Sequence, residues 1–390
     1  MAENLQAPGE RVDDAAFRTE VRDWLAANLT GDFADLRGLG GPGREHEAFE
    51  ERLAWERHLA AAGWTCLGWP AAYGGRELSL ARQVVFAEEY ARADAPATVN
   101  HLGERLLGPT LIAFGDDAQR ARFLPRIRDV TELWCQGYSE PGAGSDLAAV
   151  RTRAERDGAE WVITGQKVWT SLARQADWCF VLARTGPGAR HRGLSYLLVP
   201  MRQPGVEVRP IRQATGTSEF NEVFFDGART DASYVVGEPG DGWRVAMGTL
   251  AFERGVATLA QQVGFARELD EVTALARRTG AIDDPLIADR LTRAWIGLRA
   301  MRAAAVRTLG AAGPVDASIA KLTWATWHRA LGELAMDVHG RAGLVAAGPP
   351  YELDPVQRLF LFTRADTIYG GSNEIQRTII AERGLGLPRT

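Results

Sequence analysis

The stretch "WCQGYSEPGAGSDLAAV", from Trp134 to Val150, lies where helical patterning gives way to strand patterning. A β-rich run ends at Tyr138, and the small residues from Gly142 to Gly144 then turn the chain. Small residues let a backbone approach a flat ligand closely, and free N–H groups favour anionic or carbonyl-rich edges. The stretch therefore suits a ligand-binding loop, although by itself it is equally consistent with an ordinary Pro-Gly turn.

Hydrophobic periodicity divides the chain into three predicted domains. Residues 1–130 read as an all-helical N-terminal domain, with apolar residues at helical spacing in segments such as "DAAFRTEVRDWLAANL". Residues 131–240 hold short β-rich runs, including a hairpin signal at Asp157-Gly158, and their regular spacing predicts a small barrel or sandwich. Residues 241–390 hold long helical segments with short connections, which predict a helical bundle. The expected fold class is α+β.

Composition restricts the classes of function. The 390 residues are 46% apolar, enough for a large core, and 45 basic against 50 acidic residues give a net charge of −5, which disfavours a nucleic-acid partner. We expect no membrane span and no signal peptide, because neither a long apolar run nor a basic leader is seen. Three widely spaced cysteines indicate a reducing cytoplasm, and six unclustered histidines predict no metal site.

Three segments resemble, in order and spacing, the signatures of the acyl-CoA dehydrogenase family. They are the opening stretch, "ITGQKVWTSLARQADW" at 163–178 and "YGGSNEIQRTIIAERGLGLPR" at 369–389. The resemblance covers essentially the whole chain. It implies an N-terminal helical domain, a middle β-barrel or sandwich domain and a C-terminal four-helix bundle. It also implies FAD, an acyl-CoA substrate, electron-transfer flavoprotein as oxidant, and a role in fatty acid or lipid metabolism.

The same resemblance implies which residues contact the cofactor and the substrate. Those beside the isoalloxazine, or in the loop next to it, are Gln136, Tyr138, Ser139, Gly144, Ser145, Trp169 and Ser171. Those near the phosphates or the ribityl chain are Ser372 and Glu374, where a helix N-terminus favours anions. A glutamate replaces the family's glutamine at position 374, and it suits a pyrophosphate site only if it turns away. The implied substrate contacts are Ser145, Arg254 and Tyr369.

Members of the family carry the catalytic base at one of two positions. Many family members carry a glutamate directly after the tyrosine of the last motif, and that glutamate removes the α-proton; here the position is Gly370. Long-chain and isovaleryl-type members place the glutamate on a bundle helix, and the matching stretch "GTLAFERGVATL" contains Glu253. The resemblance thus implies Glu253 as base, the Gly370 N–H as a donor to the thioester carbonyl, hydride transfer to flavin N5, and a trans-2-enoyl-CoA product. From the residues alone, Glu253 is better interpreted as a solvated helical carboxylate or as a partner for Arg254.

Three positions depart from the family where a neighbouring subunit completes the FAD site. The segment "ARRTGAIDDP" offers Arg277 or Arg278 but lacks the family's phenylalanine, and Asp337 and Arg341 replace a glutamine and a glycine. Two assemblies remain open: a rewired homodimer or homotetramer, and a heteromer in which a paralogous chain completes half the sites. This chain is then either an FAD-containing or an FAD-less subunit. A flavin monooxygenase or oxidase of the same fold is a further alternative.

Overall fold

The computed structural model describes residues 11–188, 190–252, 257–308, 313, 315–346 and 352–388. Glu253 and Arg254, the predicted base and a predicted substrate contact, lie outside these described residues. The first part of the chain is helical, as predicted. Its helices are α1 (Arg11–Asn28), α2 (Phe49–Ala61), α3 (Leu80–Arg92), α4 (Gly108–Phe114) and α5 (Asp117–Arg128).

A seven-stranded sheet follows these helices. Its strands are β1 (Trp134–Gly137), β2 (Arg153–Asp157), β3 (Glu160–Ser171), β4 (Trp178–Arg184), β5 (Leu194–Pro200), β6 (Val206–Ile211) and β7 (Phe220–Asp231). The order is β1-β4-β2-β3-β7-β6, and β5 pairs with β4. The predicted hairpin is confirmed, because β2 and β3 are antiparallel and Asp157 pairs with Glu160.

The last part of the chain is helical again. Its helices are α6 (Gly242–Phe252), α7 (Ala257–Thr279), α8 (Pro285–Thr308), α9 (Asp316–His339), α10 (Pro355–Asp366) and α11 (Asn373–Ile379). Helix α9 packs against α7, α8, α10 and α11, around a core that includes Phe265, Leu298 and Leu334. This is the bundle that the periodicity predicts, and the predicted fold class is confirmed. Within the described residues, no helix has the length and apolar character needed to cross a membrane.

One hydrophobic cluster joins the first helices to the sheet and to α6. Leu111 of α4, Phe123 of α5, Phe180 of β4 and Val245 of α6 are all fully buried in it. Helix α6 lies very close to its neighbours, because a Cβ on Gly242 would lie 2.5 Å from the backbone of β5. The start of the bundle is thereby held against the sheet.

Candidate active site

The sheet presents an aromatic side chain at a break in its pairing. The register of β3 with β7 shifts between Lys167 and Thr170, so the intervening residues bulge from the ladder. Trp169 lies in this bulge with φ of +62°, and its side chain is 58% exposed. Among the described residues, its aromatic neighbour is Phe220, whose ring lies edge-on at 6.2 Å between centroids. An exposed indole in a strained backbone is a ready surface for a flat ligand.

The loop that follows β1 lies beside this tryptophan. The Val168 N–H donates to the Ser139 carbonyl over 2.9 Å, which joins the loop to the bulge. A Cβ at Gly142 or Gly144 would meet nothing within 4 Å, so the turn is open on its outer side. Ser145 is also exposed on this turn. The structure therefore brings two of the three family-like motifs together.

The other residues predicted on these two motifs differ in their exposure. The Tyr138 ring is buried, edge-on to Phe180 at 5.9 Å and to Tyr196 at 6.2 Å, so only its backbone is placed to face a ligand. Ser171, at the end of β3, is half-buried. Gln136 in β1 is also half-buried and pairs with Phe180 of β4.

A buried ion pair holds the two motifs in place. Lys167 Nζ lies 2.8 Å from Glu140 Oε1 and also donates to the carbonyls of Tyr138 and Leu182. Burial by itself would raise the pKa of the Glu140 carboxyl, but the Lys167 ammonium, the Arg151 backbone N–H and the Thr152 side chain outweigh burial and lower this pKa. Burial lowers the pKa of Lys167, although Glu140 opposes that shift. The pair fixes the turn that starts at residue 140.

Three buried polar atoms, two at the bulge and one in β1, test whether the site suits a polar, flat cofactor. Gln136 Nε2, Thr170 Oγ1 and Asn221 Oδ1 are buried and find no hydrogen-bond partner among the described residues. Thr170 and Asn221 pair across β3 and β7 at the bulge itself. Buried polar groups are rarely left unsatisfied in folded proteins. Their donors and acceptors, with the exposed indole, fit an isoalloxazine ring that carries both kinds of group at its edge.

The glycine pair of the third motif forms an exposed turn between α10 and α11. Gly370 has φ of +64° and Gly371 has φ of +84°, values that side chains rarely adopt. The Gln376 side chain donates to the carbonyls of both glycines, over 3.1 and 3.2 Å. The Gly370 N–H, in contrast, has no hydrogen-bond acceptor among the described residues. Gly370 itself is exposed, so a ligand can reach this turn.

The two residues predicted near the cofactor phosphates lie at the start of α11. Ser372 caps this helix, because its side chain accepts from the Ile375 N–H at 3.4 Å. Glu374 is 78% exposed at its side chain and lies 3.6 Å from Arg377. Hydrogen bonds from its own backbone N–H and from Ser372 lower the pKa of Glu374. It is therefore turned towards Arg377 and solvent.

A polar network that the sequence analysis missed lies beneath the glycine turn. His328 of α9 places Nε2 2.7 Å from Glu268 Oε2 and Nδ1 2.7 Å from Asp366 Oδ2. The Tyr369 hydroxyl donates to Asp366 Oδ1 over 2.6 Å. Burial by itself lowers the pKa of an imidazole, but these two carboxylates outweigh burial and raise the pKa of His328 to about 9. The ring is therefore a doubly hydrogen-bonded imidazolium at neutral pH.

We expect this imidazolium to make stability depend on pH. Because the folded pKa of about 9 lies above the ordinary 6.5, its contribution is complete below pH 6.5 and is lost as pH rises through 9. The shift corresponds to about 3 kcal/mol of unfolding free energy. Urea unfolding of wild type and His328→Gln between pH 6 and pH 10 measures it. The difference between the two proteins should shrink by about that amount, and a constant difference would contradict a charged ring.

The residues predicted at the cross-subunit part of the site lie on the bundle surface. Arg278 is exposed in the last turn of α7, and Arg341 is exposed just after α9. Asp337, in the last turn of α9, pairs with Arg290 of α8 at 2.5 Å. These three residues stay predictions as cofactor contacts. Among the described residues, no group of three or more His, Cys, Asp or Glu side chains is arranged to hold a metal ion.

A signal for some of the missed residues was present in the motifs. Lys167 is a charged residue inside a strand-like stretch, and a charge in such a place is buried only if it is paired. Glu140 lies at the start of the Pro-Gly turn, where a charged residue gives no such signal. His328 and Asp366 carried no such signal. They are 38 residues apart in sequence, and each falls within an amphipathic helix.

Trp169 offers a direct test of the site. We expect Trp169→Ala to weaken FAD binding about 10-fold while barely changing the melting temperature of the flavin-free protein, since the side chain is mostly exposed. Trp169→Phe should give an intermediate affinity. Titration of the flavin-free protein with FAD, followed by fluorescence, measures this. Equal FAD affinity in wild type and Trp169→Ala would place the isoalloxazine elsewhere.

Comparison with known families matches the whole of this architecture. The model for the acyl-CoA dehydrogenase N-terminal domain matches residues 12–130, that for the middle domain matches 135–228, and that for the C-terminal domain matches 240–385. The chain is 70% identical over 381 residues to acyl-CoA dehydrogenase IpdE1 of Mycobacterium tuberculosis, covering 97% of this chain and 98% of that protein.

Solved structures show the same fold. The structure titled Tcur3481-Tcur3483 steroid ACAD is 31% identical, with a TM-score of 0.84 and full coverage of both chains. The ChsE4-ChsE5 complex from Mycobacterium tuberculosis is 30% identical, with a TM-score of 0.82 and full coverage of both chains.

The fold and the matched family models define an enzyme, an oxidoreductase with the three-domain architecture of flavoprotein dehydrogenases. The chain belongs to the acyl-CoA dehydrogenase family.

Proposed function

We propose that the protein catalyses FAD-dependent α,β-dehydrogenation of an acyl-CoA thioester to a trans-2-enoyl-CoA. The observation that carries this proposal is the exposed Gly370 N–H. It has no acceptor among the described residues and stands where many family members carry their base. A backbone N–H without an acceptor, in a water-accessible turn, can donate a hydrogen bond to the carbonyl oxygen of a thioester. Such a donor stabilises the charge that develops on that oxygen, an effect worth about 3 kcal/mol per donor.

The base in this proposal is Glu253, the residue that the family resemblance implies, and the carboxylates nearest the turn in sequence are engaged elsewhere. Asp366 is fully buried and accepts hydrogen bonds from His328 and Tyr369. Glu374 faces Arg377 and solvent. In this proposal Glu253 takes the α-proton from the carbon next to the thioester.

Helix α6 supports this assignment, because its last residue, Phe252, directly precedes Glu253. Thr249 of α6 hydrogen-bonds Thr110 of α4 over 2.9 Å, and both side chains are fully buried. A Cβ on Gly248 would lie 2.4 Å from the Phe114 ring, so α6 and α4 approach closely. The helix that precedes Glu253 is thus packed closely against α4, and such support suits a positioned base.

The residues around the bulge would hold FAD. Trp169 would lie against the ring, and Gln136 and Ser171 would meet polar atoms at its edge. The turn at Gly144 and Ser145 would separate the ring from the substrate. When bound, FAD supplies the acceptor that takes the β-hydrogen with its electron pair as the C=C bond forms. Electron-transfer flavoprotein is the oxidant that we propose for the reduced enzyme.

For the acyl group, we propose a bulky one, branched or polycyclic. Two things support this: the position of the proposed base on a bundle helix, and the steroid ACAD among the similar structures.

A cytoplasmic location is part of the same proposal. The three cysteines, Cys66, Cys135 and Cys179, are free and buried, which suits a reducing compartment.

A heteromer with a paralogous chain is the assembly that we propose. Arg341 and the ion-paired Asp337 depart from the family at the cross-subunit site, and two similar structures are titled with two chain names each. Three apolar residues of α8 are each more than half exposed: Leu286, Trp295 and Ile296. Exposed apolar side chains of this kind are typical of a surface that a partner chain covers. Native mass spectrometry of the chain, alone and co-expressed with paralogues, tests this. A homotetramer with one FAD per chain, formed alone, would rule the heteromer out.

An anaerobic flavin-bleaching screen tests the proposed reaction. The protein is mixed with straight, branched, cyclic and steroid-derived acyl-CoAs, and loss of the flavin absorbance with formation of the enoyl-CoA is the expected result. Oxygen consumption without enoyl-CoA would favour a monooxygenase or oxidase. A colourless protein that gains flavin only with a partner chain would favour the FAD-less subunit.

A further inference from the structure

A row of three short hydrogen bonds passes from the half-buried Glu268 of α7 through the interior of the bundle to the exposed glycine turn. It runs from Glu268 to His328 at 2.7 Å, from His328 to Asp366 at 2.7 Å, and from Asp366 to the Tyr369 hydroxyl at 2.6 Å. We infer that Asp366, clamped by His328, is a positioning residue. Through the Tyr369 hydroxyl it fixes the peptide that carries the Gly370 N–H. The catalytic part of this inference rests on the proposed function.

Burial shows which end of the row is rigid. Asp366 is fully buried and His328 is 4% exposed, whereas the Tyr369 side chain is 40% exposed. The Tyr369 hydroxyl nevertheless donates inward to Asp366, so its polar end is used by the protein while part of its ring remains exposed. A phenol held in this way leaves its residue little freedom at either side-chain torsion.

The backbone around the turn is held on both sides of Gly370. Lys321 Nζ donates to the Asp366 carbonyl, and the Gln376 amide donates to the carbonyls of Gly370 and Gly371. The N–H of Gly370 lies in the peptide plane that joins it to Tyr369. Because two successive glycines rotate easily, an anchor at residue 369 is what keeps this plane in one orientation. A donor that is already oriented needs no reorganisation when charge develops.

The charged and titratable groups that face Asp366 come from several elements. His328 and Lys321 lie on α9, Glu268 lies on α7, and Tyr369 lies in the turn itself. The two cations balance two carboxylates, of which Asp366 is fully buried and Glu268 is half-buried. Asp366 therefore stays an acceptor towards Tyr369 while the surrounding charges remain paired.

Two variants test the hydrogen bond between the Tyr369 hydroxyl and Asp366, which we call the tether. Tyr369→Phe keeps the ring and removes only the hydroxyl, and Asp366→Asn removes the charge with little change in shape. The matched control is Tyr90→Phe in the helical N-terminal part, which removes a hydroxyl that donates to the Pro96 carbonyl at 2.7 Å and accepts from the Trp55 indole N–H at 2.8 Å. All variants are made in the full-length protein.

Hydrogen exchange of the full-length protein, read by mass spectrometry on peptides that span 366–377, gives the first readout. We expect exchange at least about 10-fold faster in Tyr369→Phe and Asp366→Asn, because the turn opens locally, and unchanged exchange there in Tyr90→Phe. Unchanged exchange in Tyr369→Phe would overturn the tether. This readout needs neither substrate nor chemistry.

The second readout uses an acyl-CoA that bleaches the wild type. Tyr369→Phe should lower kcat roughly 10- to 100-fold with KM nearly unchanged, since a misplaced donor is felt mainly in the transition state. Faster exchange with an unchanged kcat would overturn the positioning role. If no acyl-CoA bleaches the wild type, the proposed function fails, and the exchange measurement still decides the tether.

Discussion

Glu253→Gln is expected to slow flavin bleaching by roughly 10²- to 10⁴-fold, because the general base is lost while the shape of the side chain is kept. FAD content and acyl-CoA affinity should stay close to those of the wild type, since neither depends on abstraction of the α-proton. Anaerobic stopped-flow bleaching with an active acyl-CoA measures the rate. Equilibrium titration with the enoyl-CoA product measures affinity without chemistry.

The matched control for this variant is Glu271→Gln, which makes the same chemical change at an exposed position on α7. It should bleach at the wild-type rate. Bleaching of Glu253→Gln at a rate close to wild type would remove Glu253 from the mechanism and leave the source of the base open. If the variant fails to retain FAD, its role is in cofactor binding and the proposed base is wrong.

Lys167→Met should destabilise the protein by about 3–5 kcal/mol, because it leaves the Glu140 carboxylate buried without its cation. The loss should also weaken FAD binding, since Glu140 holds the backbone N–H groups of Arg151 and Thr152 behind the turn. Urea unfolding gives the free energy, and flavin titration gives the affinity.

An exposed ion pair in the same sheet provides the comparison. Arg209→Met breaks the contact with Glu207 on β6, 2.7 Å long and open to solvent, and should change stability little. The double variant Glu140→Gln with Lys167→Met should recover part of the loss, because no unpaired charge is then buried. A Lys167→Met protein as stable as the wild type would show that Glu140 is neutral in the folded state.

Much of the fold was predictable from local patterns. Helical periodicity before residue 130 and after residue 240, and the turn signal at Asp157-Gly158, describe short-range preferences that the packed structure keeps. The family-like motifs pointed to Trp169 and to Gly370. Their geometry was not predictable, because the bulge that exposes Trp169 depends on how β3 pairs with β7, more than fifty residues along the chain.

The sequence by itself determined the three zones, the family-like motifs and the lack of a carboxylate at position 370, since each depends on residue identity and short spacing. Only the tertiary structure decided that Asp366 carries His328 on one oxygen and Tyr369 on the other, and that Lys167 meets Glu140. Glu140 and Lys167 are 27 positions apart in sequence, and His328 and Asp366 are 38 apart. Glu268, which contacts His328, is 60 positions away from it. Such pairs form only when packing buries their charges together, and no local pattern encodes that burial.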